Sequence, residues 1–259
     1  MTLPTTPKLA IGLAVLPLAI STGYLVYLNR LVRRECTIST GIRNKRKHFD
    51  TIPPNVCYPL NLPQEVADAK DQEWVLAYER VVLSRPLHPA VLAKANDDDS
   101  KPDISAVLRR YLRGTMTAFS WTPQAFLLRA SLPRDAKSGR QTFNTDYIQS
   151  LDFLPGDRVN GFWKVMSSVP ALLAPGLKQH RAEMALDAPP GYTGPVVAGV
   201  IVAGMETVGD GGVLFFNETW MWRKQGERPV LLEGHAGRWL HEVLAGWLVM
   251  NGVEEVGRE

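Results

Sequence analysis

The sequence predicts an α+β chain, with an antiparallel sheet laid over a long C-terminal helix and one transmembrane helix in front. Three observations predict it. Leu9–Leu28 is an apolar run without a charge. Segments rich in β-branched and aromatic residues follow, two of them joined by the turn "GDGG" at 209–212. Last, Ala236, Trp239, Leu240, Val243, Leu244, Trp247 and Leu248 recur at three- and four-residue intervals, the apolar face of a helix.

The first run has the length a bilayer core needs, about 20 residues at about 1.5 Å each. Gly12, Pro17 and Gly23 weaken a soluble helix, and membrane helices tolerate them. Tyr24 and Tyr27 stand where interfacial aromatics belong. Lys8 precedes the run. Arg30, Arg33, Arg34, Arg43, Lys45, Arg46 and Lys47 follow it against Glu35 alone, which places the bulk of the chain in the cytosol, on the endoplasmic reticulum or another internal membrane. A cleaved signal peptide ending near Ala19-Ile20-Ser21 is the competing reading. The apolar run passes that site, and the basic charge lies on the wrong side. The division that follows is residues 1–29 as anchor, 30–72 as basic juxtamembrane linker and 73–259 as folded domain. The linker's basic cluster either fixes topology alone or also touches anionic headgroups.

Of the 259 residues, 45% are hydrophobic and 21% charged, which excludes a largely disordered chain. The net charge of +3 argues against a nucleic-acid partner, which calls for a strongly basic face. Cys36 and Cys57 make neither a disulfide framework nor a zinc pattern and read as free thiols. No metal and no cofactor is implied.

Within the folded part, Glu73–Ser84 reads as a strand. Residues 86–95 suggest a short helix, and 94–103 an acidic solvated loop. Asp103 is an N-cap for a helix from Ile104 to Phe119, with a second helix starting near Pro123. "QTFNTDYIQSLDFL" and "DRVNGFWKVMSSV" read as strands joined by a turn at Pro155-Gly156-Asp157. "LKQHRAEMAL" reads as a further strand. "GPVVAGVIVAGMETV" and "GVLFFNETWMWRK" are the strongest strands, and Asn251-Gly252 offers the last helix a stop.

The run "LDFLPGDRVNGFWKV", then "GGVLFFNETWMWR", then the helix "GRWLHEVLAGWLV" resembles the START-like helix-grip superfamily over roughly Glu73–Val253. That superfamily includes lipid-transfer domains, plant ligand-binders and polyketide aromatase/cyclases. The chain also loosely resembles uncharacterised membrane-anchored proteins of fungal secondary-metabolite gene clusters. The resemblance implies a curved sheet gripping the last helix around a cavity, with a hydrophobic small-molecule ligand. It implies no fixed activity. Two readings follow: a cyclase-like enzyme acting by proximity and shape, or a carrier without chemistry. A scaffold that recruits other membrane-bound pathway enzymes is the third.

The candidate site residues come from alternation and helix position. Leu214, Phe216, Glu218, Trp220 and Trp222 share one face of the last strand. In a cavity, Glu218 would be a desolvated carboxylate among aromatic rings, able to serve as general acid or base. The competing reading pairs it with Arg223 or a cross-strand lysine. His241, and less so His235, could reach a ligand from the final helix. Trp163, Phe216, Trp220, Trp222, Trp239 and Leu244 are expected to line the cavity. Asp152, Asp157, Arg158 and Tyr147 have structural readings that outweigh functional ones. No Ser-His-Asp context, phosphate loop or dinucleotide fingerprint is present in the sequence.

Overall fold

The computed structural model describes residues 7–43, 57–68, 73–88, 103–133, 136–174, 177–192, 197–209 and 211–258, and the backbone alone for 7–20, 169–174, 177 and 178. Helix α1 spans Pro7–Glu35 and β1 spans Cys36–Arg43. Then come α2 (Gln64–Asp68), β2 (Trp74–Leu83), α3 (Ile104–Ser120), α4 (Pro123–Ser131), α5 (Lys137–Gln141) and α6 (Thr145–Ser150). The rest of the chain is β3 (Arg158–Val159), β4 (Trp163–Ala174), β5 (Leu177–Leu186), β6 (Ala198–Val208), β7 (Gly212–Lys224), a 3₁₀ turn (Leu231–Glu233) and α7 (His235–Gly257).

The seven strands form one antiparallel sheet in the order β1-β2-β7-β6-β5-β4-β3. Strands β3 to β7 form a meander whose last strand pairs with β2, and the long helix comes last. This order of a curved sheet and a C-terminal helix is compatible with a helix-grip fold. Helix α3 begins as expected: Asp103 accepts from Ser105 N at 2.9 Å and satisfies an orphan donor of the first turn. The β6–β7 connection places Gly209 at φ +47° and Gly211 at φ +86°, the left-handed backbone that glycine tolerates.

Several expectations are corrected. Residues Gln141–Leu154 contain no strand. Phe143, Tyr147, Ile148 and Leu151 fall at helical intervals, and 145–150 is the single-turn helix α6. The segment from Asp157 to Val169 is not one strand. Asn160 at φ +50° and Gly161 at φ +72° turn β3 back into β4. Helix α7 does not stop at Asn251-Gly252 but runs to Gly257. Gly252 lacks a Cβ for packing: one built there would come within 2.6 Å of the Tyr111 ring. Within the expected linker, Cys36–Arg43 is an edge strand paired with all but the first two residues of β2.

Leu9–Leu28 lies within α1. Among the described residues no helix is long and apolar enough to cross a membrane. The side chains of 9–20, most of the expected span, lie outside that description. So do most of 86–95 and 94–103.

Candidate functional site

Side chains alternate across a strand, so the sheet has two faces with different covers. The first is roofed by α3 and α7. Tyr111 of α3 stacks on Phe215 with ring centroids 4.8 Å apart and donates its hydroxyl to Asn217 Oδ1 at 2.9 Å. Leu112, Ile148, Phe153, Val165, Met184 and Phe215 are fully buried in the same cluster. Where the helices meet, Gly114 lies against Glu255 and Gly252 against Tyr111 and Thr115, with no room for a Cβ. Between α3, α7 and the sheet, these apolar side chains are buried against one another.

The second face is covered by a short strap, residues 57–68 with α2. Here the strands bring charges together. Arg80 of β2 pairs with Glu218 of β7, and with Glu206 of β6 at 2.8 Å. Arg181 and Glu183 of β5 pair at 3.0 Å, both fully buried. Gln179 donates to Glu206 at 3.0 Å. Two guanidinium groups thus face three carboxylates, an arrangement that low-dielectric surroundings tolerate only when paired and hydrogen-bonded. The strap completes the pairing. The backbone N–H groups of Leu60 and Asn61 donate to Glu183 at 2.9 and 3.0 Å, and the Asn61 side chain adds a third bond at 2.8 Å. Gly204 makes room for Arg181, since a Cβ at Gly204 would lie 2.9 Å from that of Arg181. Aromatic rings wall the cluster. Tyr78 and Tyr58 pack on Trp220 with centroids 4.4 and 5.2 Å apart, and Arg80 lies 4.3 Å over Phe216. Burial drives the Glu218 carboxyl above its ordinary range. Arg80 and the Trp220 indole N–H, 3.1 Å away, only partly offset this. Burial and then Glu218 push the Tyr78 phenol up, and its hydroxyl is buried without a hydrogen-bond partner among the described residues.

The expected site residues do not converge. Phe216, Glu218, Trp220 and Trp222 lie on the strap face, away from α7. Trp163 lies on the helix face, in the main core. Trp239 donates to Asn29 Oδ1 of α1 at 3.0 Å, and Leu244 is half-buried. His241 contacts buried Glu79 of β2, Nδ1 to Oε1 2.6 Å, through the helix face. Glu218 and His241 are therefore separated by the sheet. His235 is exposed at the start of α7. Asp157 caps the turn by accepting from Leu154 N at 2.8 Å, and Asp152 lies near Arg109 and Arg113 at the surface. Burial pushes the Cys36 thiol up to about 11, an unreactive state.

An open groove of about 470 Å³ lies at the β3 end of the sheet. Pro133, Ala136, Pro189 and Pro190 give it apolar walls, and Ser138 and Gln141 give it polar ones. Tyr147 and Arg158 also line it, held by the Tyr147 hydroxyl donating to Arg158 O at 3.0 Å and by the Arg158–Asp187 ion pair. Among the described residues no cluster of His, Cys, Asp or Glu is placed to hold a metal ion.

The fold and site define an α+β protein with a two-faced sheet, a buried charge network and a small surface groove. No family model matches the chain, and no curated protein or solved structure matches it.

Sequence reasoning missed Arg80, Gln179, Arg181, Glu183 and Glu206. Their signal was present: Gln179, Arg181 and Glu183 alternate with Ala182 and Met184. Such a pattern reads as a solvent-facing strand face. The strap that buries it comes from more than a hundred positions earlier in the chain.

Proposed function

We propose that this chain is a membrane-anchored binding module that seats a hydrophobic small molecule and performs no chemistry on it. The observation that carries this reading is the groove of about 470 Å³, within the size range typical of small-molecule sites. Its proline walls suit an apolar body, and Ser138 and Gln141 suit one polar group on the ligand. The cyclase reading needs a carboxylate beside reactive space. Glu218 lies instead in a network where Arg80 and the Trp220 indole occupy its oxygens. The anchor suits the same function, because an apolar ligand partitions into a bilayer next to its carrier.

The test is a titration of the purified full-length chain with the fluorophore 1-anilinonaphthalene-8-sulfonate. Ser138 is exposed, so Ser138→Trp fills the groove without disturbing the core. The expected outcome is an affinity about tenfold weaker, equivalent to about 1.4 kcal/mol, with Glu218→Gln unchanged. Unchanged binding in Ser138→Trp sinks the groove as the seat. Loss of binding in Glu218→Gln alone moves the site to the strap face.

A further inference from the structure

The groove at the β3 end of the sheet is electrically one-sided. Among its lining residues Arg158 alone carries a charge. Two of the hydroxyls that line it are already engaged. Tyr147 donates to Arg158 O at 3.0 Å. Thr142 donates to Gly139 O at 2.6 Å and accepts from Gly161 N at 2.7 Å. Burial and then Asp157 push the Tyr147 phenol up, so it adds no negative charge to the groove. Ser138 and Gln141 are exposed polar side chains.

Arg158 is held in position and only partly used. Its Nη1 donates to Asp187 O at 3.0 Å, and its Nη2 donates to the Asp187 carboxylate. A guanidinium presents five N–H groups in a planar fork, so these two bonds leave three. The side chain is 35% exposed, which keeps them within reach of a ligand. Asp187 is not among the lining residues, so the carboxylate that balances Arg158 stands outside the groove.

The surroundings are cationic as well. Lys164 stands opposite Arg158 in the β3–β4 pair, and like charges opposite each other repel. Helix α5, which supplies Ser138, Gly139 and Gln141 to the groove, contains Lys137 and Arg140 and no acid. Arg140 donates from Nη2 to Leu132 O at 3.2 Å, and its Nε is buried without a partner among the described residues. Three carboxylates stand against these cations. Asp187 is taken by Arg158. Asp157 accepts from Leu154 N at 2.8 Å, and Asp146 is exposed in the first turn of α6. Of the four cations only Arg158 is in an ion pair among the described residues.

We infer that the groove seats a hydrophobic organic acid, with its apolar body against Pro133, Pro189 and Pro190 and one anionic head group, carboxylate or sulfonate, on Arg158. The head group accepts from the unused N–H groups of the guanidinium. Such charge-assisted bonds are roughly twice as strong as neutral ones. Asp187 then has two opposed effects: it fixes the fork in place and weakens its pull on an anion. This ligand class rests on the groove being the seat proposed above, and the experiment separates the two.

Two probes with one body test the charge. 1-anilinonaphthalene-8-sulfonate carries a sulfonate, and N-phenyl-1-naphthylamine is the same molecule without it. Each is titrated into the purified full-length chain and into Ser138→Trp, Arg158→Gln and Asp187→Asn. Arg158→Gln should bind the sulfonate about tenfold more weakly, as loss of a charge-assisted bond predicts, and the neutral probe as wild type does. Asp187→Asn frees the guanidinium and should bind the sulfonate about threefold more tightly, with the neutral probe unchanged. A damaged fold does not produce that gain. Ser138→Trp should weaken both probes. If Ser138→Trp binds both as wild type does, the groove is not the seat and the ligand class falls with it. If Ser138→Trp weakens both while Arg158→Gln and Asp187→Asn leave the sulfonate unchanged, the seat stands and the anionic head group is overturned. Loss of both probes in Arg158→Gln, with no gain in Asp187→Asn, also overturns it, because Arg158 then shapes the groove and holds no ligand charge.

Discussion

The two faces of the sheet are buried to a similar depth by opposite means. On the helix face, Met184, Phe215 and Val165 are excluded from water by other apolar groups, and α3 and α7 close over them. On the strap face, Arg181, Glu183 and Glu218 are excluded by a strap of a dozen residues that must also satisfy their charges. The comparison teaches that depth alone does not measure what a residue contributes. Apolar burial is tolerant of shape, whereas a buried ion network depends on every partner.

Adjacent residues of β5 give the sharpest way to break this comparison. Glu183→Leu keeps the volume roughly constant but leaves Arg181 unpaired and three strap donors without their acceptor. It should cost about 3–5 kcal/mol and release the Leu60 and Asn61 amides to fast hydrogen exchange. Met184→Leu, next along the strand, should cost less than about 1.5 kcal/mol. Urea denaturation of the two variants decides the matter, and equal losses would mean that both faces behave as ordinary apolar core.

The helix face has its own intolerance where helices touch. Gly252→Ala drives a methyl into Tyr111 and Thr115, and should destabilise by about 1–3 kcal/mol as overpacking does. A thermal midpoint equal to wild type would show that α7 shifts freely on α3. Asp103→Ala, which removes the N-cap of α3 and a long, exposed contact with Arg109, should cost about 1 kcal/mol in the same assay.

Acid response gives the smallest contrast. Burial raises Glu233, beside the 3₁₀ turn, but the Arg223 pair and the Val230 N–H outweigh it and hold the carboxyl below its ordinary value of 4.5. Its stabilising effect is therefore complete above the unfolded value and is lost as pH falls through the folded one. Glu218 is shifted the other way, so its contribution weakens as pH rises from 4.5 through its elevated folded value. Glu233→Gln should flatten the acid limb of a stability–pH curve, and Glu218→Gln the limb above it. Identical curves for both variants would refute the opposite shifts.

The elements with strong local signals were legible in the sequence. β2, β6, β7, α3 and α7 followed from β-branched runs, the Asp103 cap and the Trp239–Leu248 periodicity. β1 was hidden because "CTISTGIR" is short, polar on one side and placed after a basic run. Its strand character depends on pairing with β2. α6 was hidden because "TDYIQS" is a single turn held by packing of Ile148. Alternation along β7 correctly grouped Phe216, Glu218 and Trp220. It could not tell which side α7 would cover, because Phe215 and Asn217 are equally plausible partners for a helix. His241 was rightly placed at the border of the apolar face, but its partner Glu79 is 162 positions away in sequence.

The junction between α1 and β1 contains no connecting residue: Glu35 ends the helix and Cys36 begins the strand. It is braced where Ser84 N donates to Glu35 O at 2.8 Å, where Arg33 meets Glu242 and where Val32 wedges at Gly246. Mechanically, α1 is a mast stepped into the hull, not a mooring line. A torque on the N-terminal helix reaches the sheet undamped, and tilting that helix swings β1 and its neighbours as one lever.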